Sequence, residues 1–226
     1  MNKWTDTSGK GLTDYPRPSV AVDVAVLTYS GGSLKVLVVL HRLGALALPG
    51  TFLHERELLT AAADRALSVK AELAQTSFHQ LAIFDRPDRD DRGWVLSVAH
   101  TACLPESALP DSALLVDVYD DEAVSGVAFD HADMVRLAVT DLRTRYASYV
   151  DPDGLSGGTF TVAELRGLYE VIFDRPFQKD SFRRQVFDAL ESTGEMSRPG
   201  NGRPAETYRR RGDGALTAQA MAFLTG

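Results

Sequence analysis

The chain has 226 residues, 44% of them hydrophobic and 24% charged, with one cysteine, Cys103. That suits one large domain or two unequal ones of a soluble globular protein; no run approaches the ~18–20 apolar residues of a membrane span, and a lone thiol excludes an internal disulfide. A net charge of −7 excludes a protein basic throughout, yet Gln178–Arg211 carries eight Lys or Arg against five Asp or Glu, a local +3 that leaves −10 elsewhere.

The polar opening "MNKWTDTSGKGLTDYPRP" lacks the apolar stretch of a secretion signal, so the expected compartment is the cytoplasm. "SVAVDVAVLTY" (19–29) and "LKVLVVLHR" (34–42) read as two strands, the first alternating through Val20, Val22, Val24 and Val26, and the "SGGS" between them reads as a hairpin turn. After Pro49-Gly50 a helix is expected, with Leu59, Ala62, Ala66, Val69 and Leu73 forming its apolar stripe. "FHQLAIFD" and "GWVLSVAHTACL" are further strands on either side of the polar loop "RPDRDDRG", Cys103 lying in the apolar run of the second; "ALLVDVYDD" is a candidate strand. A long helix over 129–149 places Met134, Leu137, Ala138, Leu142 and Tyr146 on one face.

"VDPDGLSGGTF" is rich in Gly and poor in hydrophobic residues, which puts a domain boundary there: one domain over 1–150, a linker over 151–158, a second domain over 159–226. The second domain opens on a capping box, Thr161 with Glu164, ahead of a helix with stripe Leu165, Leu168, Tyr169 and Ile172. A short helix follows in "QKDSFRRQVFDAL", burying Phe182, Val186 and Leu190, and then the basic, Gly-rich "SRPGNGRPAETYRRR". Two short helices and a basic ribbon outline a winged helix-turn-helix.

The stretch Leu48–Leu73, "LPGTFLHERELLTAAADRALSVKAEL", resembles the Nudix box, the loop-helix-loop motif of hydrolases acting on nucleoside diphosphates linked to another group. Glu57 and Arg65 match the pattern. Its first Gly falls at Thr51, its three helical acids at Ala66, Val69 and Lys70, and its closing Gly at Glu72. Residues at i, i+3 and i+4 share a helix face, so three acids there would hold Mg²⁺; alanine and valine offer no ligand and lysine repels the ion. No catalytic residue, metal site or resident cofactor is therefore expected. Two neighbours keep the resemblance in register: "FDRPDRDDRGWVLSVAH" (84–100) is similar to a segment of ADP-ribose-type Nudix proteins, and "AFDHADM" (128–134) to the opening of their last helix; the Trp-x-Pro that often precedes that helix is absent. The C-terminal 160–211 resembles the winged helix of NrtR, the Nudix-related transcriptional regulators, through Phe182-Arg183-Arg184, Gly202-Arg203-Pro204-Ala205 and Tyr208-Arg209.

The resemblance implies an α/β (α+β) chain, a Nudix α/β/α sandwich with a mixed sheet followed by a small winged helix-turn-helix. It also implies a repressor of NAD-metabolism genes with ADP-ribose or a related nucleotide as effector. A pocket for such a ligand needs cations for the diphosphate, for which Arg17, Arg86 and Arg92 are candidates, and polar groups for ribose and base, for which Asp88, Asp130 and His131 are. On the second short helix, with Phe182 and Val186 inward, Ser181, Arg184 and Gln185 face outward; Arg and Gln suit bidentate contacts with base edges, while Lys179 and Arg183 suit phosphates. Arg203 is placed for a minor groove, and Arg198, Tyr208, Arg209 and Arg210 for the DNA backbone. One winged helix reads a short site, so a homodimer on palindromic double-stranded operator DNA is the expected assembly. Two rivals remain at this level: an active ADP-ribose pyrophosphatase using Glu55, Glu57 and Glu72, and a regulator whose Nudix half serves only to dimerise.

Overall fold

The computed structural model describes residues 4–41, 44–119, 124, 126–197 and 203–226. The first half is built on a mixed seven-stranded sheet. Its spine is β1 (Ser19–Ser30), paired parallel to β6 (Val95–Cys103) on one side and antiparallel to β2 (Ser33–Leu40) on the other. The strands β3 (Leu46–Ala47), β4 (Gly50–Phe52), β5 (His79–Phe84) and β7 (Leu114–Asp117) complete it; β4 also pairs with β1, setting Gly50 opposite Asp23.

Period-2 alternation sends successive residues of β1 to opposite faces, and both faces are covered. Val22, Val24 and Val26 pack with Leu37 against α1 (Leu59–Ala71), which contributes Ala62, Ala63, Leu67 and Ala71. Ala25, Leu27, Val36 and Val38 pack against α2 (His131–Ser148) through Met134, Val135, Ala138, Val139, Leu142 and Tyr146. Each fully buried Val, Leu or Met side chain stabilises this sandwich by about 1.5–3 kcal/mol. The expected helix stripes are each off by one member: Val69 is 74% exposed and Leu137 41%, because the buried arcs turn instead through Ala63 and Leu67 in α1 and through Val135 and Val139 in α2.

The second half holds β8 (Phe160–Thr161), α3 (Val162–Ile172), α4 (Lys179–Val186), β9 (Leu190–Ser197), β10 (Ala205–Arg210) and α5 (Ala218–Thr225), with a three-stranded sheet ordered β8-β10-β9. The capping box forms as read: Thr161 Oγ1 accepts from the Glu164 N–H at 3.2 Å and Glu164 Oε2 accepts from the Thr161 N–H at 2.7 Å. Leu190 is buried but opens a strand, since the helix ends four residues earlier, and α5 had no sequence expectation.

The segment expected as a linker is not a tether. Val150, Asp151 and Leu155 are buried, and the Asp151 carboxylate accepts from Tyr146 Oη (2.8 Å), the Leu155 N–H (2.7 Å), the Ser156 N–H (3.1 Å) and Ser156 Oγ (2.6 Å). Tyr169 Oη of α3 accepts from the Asp151 N–H and donates to the Tyr149 carbonyl. The α2-side core therefore runs without a break into Leu165, Leu168, Tyr169 and Phe182 of the second half.

Candidate functional site

A cleft of about 630 Å³ opens where β1, β2 and β4 meet the 89–92 loop and the start of α2. On its floor Asp23 receives a hydrogen bond from Ser97 Oγ at 2.5 Å and faces His131 Nε2 at 3.5 Å. His131 Nδ1 accepts from the Leu48 N–H at 3.0 Å, which leaves the ring proton on Nε2, directed at Asp23. Burial lowers the His131 pKa below its ordinary 6.5, with Asp23 and Asp130 opposing, so the ring is held neutral. Gly50 lies so close that a Cβ there would stand 1.8 Å from Asp23 Oδ1; the glycine is what allows the carboxylate to reach the cleft.

The 86–93 loop supplies the cations. Arg92 also lines the cleft, bound to Asp90 through Nε (2.8 Å) and Nη2 (2.5 Å), and this pairing keeps the Asp90 carboxyl below its usual range. Arg89 binds both oxygens of Asp130, at 2.8 and 2.6 Å, with both side chains almost wholly buried. Asp130, expected among the ligand contacts, lies outside the lining of the cleft with both oxygens paired to Arg89, in the turn between Phe129 and His131. Arg17 and Arg86 are exposed and outside the lining of the cleft, and Asp88 lines a smaller adjoining hollow with His41 and Phe129. Sequence reading missed Asp23, Arg89 and Phe52. A lone aspartate inside a run of valines was the one available signal for Asp23.

Arg65 keeps the frame of the box: Nε and Nη2 donate to the two Glu57 oxygens at 2.8 Å each, Nη1 to Thr51 Oγ1 at 2.9 Å and Nη2 to the Phe52 carbonyl at 3.0 Å. The Arg65 bonds hold the Glu57 carboxyl down at about 2. Ala66 is buried, Val69 exposed, and Lys70 lines the cleft. Of the acids invoked for hydrolysis, Glu57 is taken up by Arg65, Glu55 points to solvent beside Arg56, and Glu72 accepts from Ser112 Oγ at the far end of α1; none lines the cleft. Glu72 replaces the closing Gly in a left-handed conformation, φ 56°.

On the second half, α4 begins with Gln178 Oε1 accepting from the Ser181 N–H at 2.6 Å. Lys179, Arg183 and Arg184 are exposed along it, with Ser181 and Gln185 half-buried. Lys179 and Arg183 also border a groove of about 440 Å³ between α3, α4 and β10. Arg203 is exposed beside the tip of the β9–β10 wing; Arg198 and Gly202 lie outside the described residues. Two of the residues expected to contact DNA have partners within the fold. Tyr208 is 5% exposed, its hydroxyl donating to Glu206 Oε2 at 2.6 Å and its ring meeting Phe187, so it packs the wing rather than facing outward. Arg210 donates to the carbonyls of Asp151 and Pro152 at 3.1 and 3.0 Å and ties the wing to the segment after α2. Arg209 is exposed and paired with Glu191 at 3.1 Å.

A polar cleft in an α/β/α sandwich, fused to a winged helix with a cationic helix face, is the architecture of a Nudix–winged-helix regulator. Residues 155–210 match the family model described as the NrtR DNA-binding winged helix domain. The chain is 31% identical over 212 residues to the "ADPR responsive transcriptional repressor NtrR" of Acinetobacter baylyi, covering 87% of this chain and 84% of the relative. The crystal structure of Shewanella oneidensis NrtR complexed with a 27mer DNA superposes with a TM-score of 0.72 at 30% identity, covering 88% of this chain and 97% of that one. The Nudix domain of the same protein, crystallised with ADP ribose, matches with a TM-score of 0.50 at 27% identity, over 60% of this chain and 95% of that one. The chain belongs to the NrtR family of transcriptional regulators.

Proposed function

We propose that this chain is a repressor that binds operator DNA through α4 and the β9–β10 wing and releases it when ADP-ribose, or a closely related nucleotide, fills the cleft on the sheet. One observation carries the reading: the cleft keeps groups suited to a nucleotide, Arg92, Lys70, His131 and Asp23, while the helix positions that would present metal-binding carboxylates hold Ala66, Val69 and Lys70. Such a pocket binds without turnover. A hydrolase would destroy the signal that a sensor must report. The relatives support both halves, one named as ADPR-responsive and one crystallised with DNA and, as its Nudix domain, with ADP ribose.

Arg184 and Gln185 are the base-reading candidates on α4, Lys179 and Arg183 the phosphate contacts, and Arg203 and Arg209 the wing contacts. NAD-metabolism genes are the proposed targets, a two-fold dimer on a palindrome the proposed assembly, and the cytoplasm the proposed compartment. The two halves are joined by α2, which carries His131 into the cleft at one end and Tyr146 onto Asp151 at the other. A nucleotide acts on DNA only if it favours a dimer geometry that DNA disfavours. The test is titration of the protein onto DNA from upstream of its own gene and of NAD-biosynthesis genes, against random DNA of equal length at fixed salt. Selective binding is the expected result; equal affinity for all sequences would overturn the regulator reading.

A further inference from the structure

The helix α5 follows the wing in the chain and packs against both α2 and α4. Ala220 and Leu224, one turn apart on the same face, are fully buried in the core shared by the two halves. The helix lines neither the cleft on the sheet nor the groove between α3, α4 and β10. We propose that α5 is a coupling strut: it makes α4 follow a displacement of α2, and so carries the occupancy of the cleft to the DNA-facing helix.

The strut is fixed at both ends. The stretch leading into it pairs with the end of α2: the Val150 N–H donates to the Gly214 carbonyl at 2.8 Å and the Leu216 N–H to the Ser148 carbonyl at 2.9 Å, around a bridge between Tyr149 and Ala215. Gly214 has φ 76°, and a Cβ there would stand 3.2 Å from the Val150 carbonyl oxygen, so this approach requires glycine. Thr217 Oγ1 then caps the helix, accepting from the Ala220 N–H at 3.1 Å. At the other end the Phe223 carbonyl accepts from Arg175 Nη2, on the turn that leads into α4; a cation there also suits the negative end of the helix. The Arg175 guanidinium lies 4.7 Å from the ring centroid of Phe177, and the Phe177 ring lies 5.5 Å from that of Phe223 and 5.6 Å from that of Phe182 in α4.

A single attachment would leave the second half free to rotate; a second one sets its angle. The Asp151 network beside the end of α2 is the first, and ring contacts lead from it to α4, Tyr146 to Tyr169 at 5.7 Å and Tyr169 to Phe182 at 5.3 Å. The second is α5, which closes the circuit from α4 back to α2. Elsewhere the junction is looser. A cavity of about 820 Å³ lies between Val139 and Thr140 of α2 and Glu170 and Val171 of α3, with Arg143 Nε reaching the Ile172 carbonyl at 2.7 Å. Closely packed side chains do not deform continuously, so a shift of α2 at a packed contact becomes a shift of the helix packed on it.

The assignment rests on the proposed release of operator DNA by ADP-ribose, and the experiment separates the two. Anisotropy of the full chain on its selected operator DNA, without and with saturating ADP-ribose, gives a coupling factor, the ratio of the two DNA Kd values. For the unaltered protein that factor is expected at about 5–150. Phe223→Ala and the milder Phe223→Leu both remove the ring contact with Phe177. Each is expected to lower the factor by at least roughly threefold, while the Kd for DNA alone, and for ADP-ribose alone by calorimetry, stay within roughly threefold of the unaltered protein. A merely structural helix does not give that split. A factor unchanged in the folded variants, or one that falls only together with the affinity for DNA alone or ADP-ribose alone, would overturn the strut. Failure of ADP-ribose to weaken DNA binding by the unaltered protein would overturn the release reading and the strut with it.

Discussion

Replacing Asp151 by alanine removes one carboxylate that accepts four hydrogen bonds, from Tyr146, Leu155 and, twice, Ser156, at a site 1% exposed. A hydrogen bond to a charged acceptor contributes about 1.5–3 kcal/mol, and a buried donor left unpaired costs about 1–3 kcal/mol; because these terms share one acceptor they do not add fully. The expected loss is about 3–5 kcal/mol, the range of disrupted buried polar networks. For a chain of this size that is a fall in Tm of roughly 6–20 °C. Asp151 also sits at φ 42°, which asparagine tolerates better than alanine, so Asp151→Asn keeps one acceptor and the backbone and should lose about half as much. Urea denaturation followed by far-UV circular dichroism reads both variants. A loss below about 1 kcal/mol for Asp151→Ala would mean that the donors find water, as in a solvated linker, and would refute the argument that this segment fixes the second half on the first.

Arg89→Met leaves Asp130 buried and unpaired and should cost about 3–5 kcal/mol in the same assay, whereas Arg89→Met with Asp130→Leu should recover most of it; equal losses in both proteins would contradict a buried ion pair. His131 has a folded pKa below its ordinary 6.5, so it binds fewer protons folded than unfolded. Its contribution is therefore complete above pH 6.5 and is lost as pH falls from there through the folded value. A Tm–pH profile should decline below pH 6.5, ahead of the acid range in which Glu57 titrates, and His131→Gln should reduce that first decline, leaving the share of His100, whose pKa burial also lowers. Arg184→Ala should cost about 1–3 kcal/mol on specific DNA and little on random DNA, read by fluorescence anisotropy at fixed salt; equal losses on both would make Arg184 a phosphate contact.

Much of the architecture was legible because its determinants are local. The alternating valines of 19–29, the Gly-Gly turn and the Thr161–Glu164 box each impose their structure through neighbours a few residues away. The degenerate box was legible for the same reason, one helix carrying Ala66, Val69 and Lys70 at fixed spacing. The cleft was less so. His131 and Arg92 were expected there and line it, but Asp23 reaches it only because β4 sets Gly50 opposite, a pairing no local pattern announces. Asp130 and Tyr208 carried the residue types of ligand contacts, yet Arg89 and the wing core absorb them. The segment 151–158 has the composition of a linker; its order comes from partners on α2, α3 and β10 that lie far away in sequence or on other elements.

The measurement that tests the central claim most directly is anisotropy of the full chain on its selected operator DNA, with ADP-ribose added at fixed salt in the presence of Mg²⁺ and the nucleotide analysed by chromatography afterwards. The account predicts that DNA is released in proportion to ADP-ribose and that the nucleotide is recovered intact. Release accompanied by stoichiometric conversion to AMP and ribose 5-phosphate, or operator binding that ADP-ribose leaves unchanged, would contradict it.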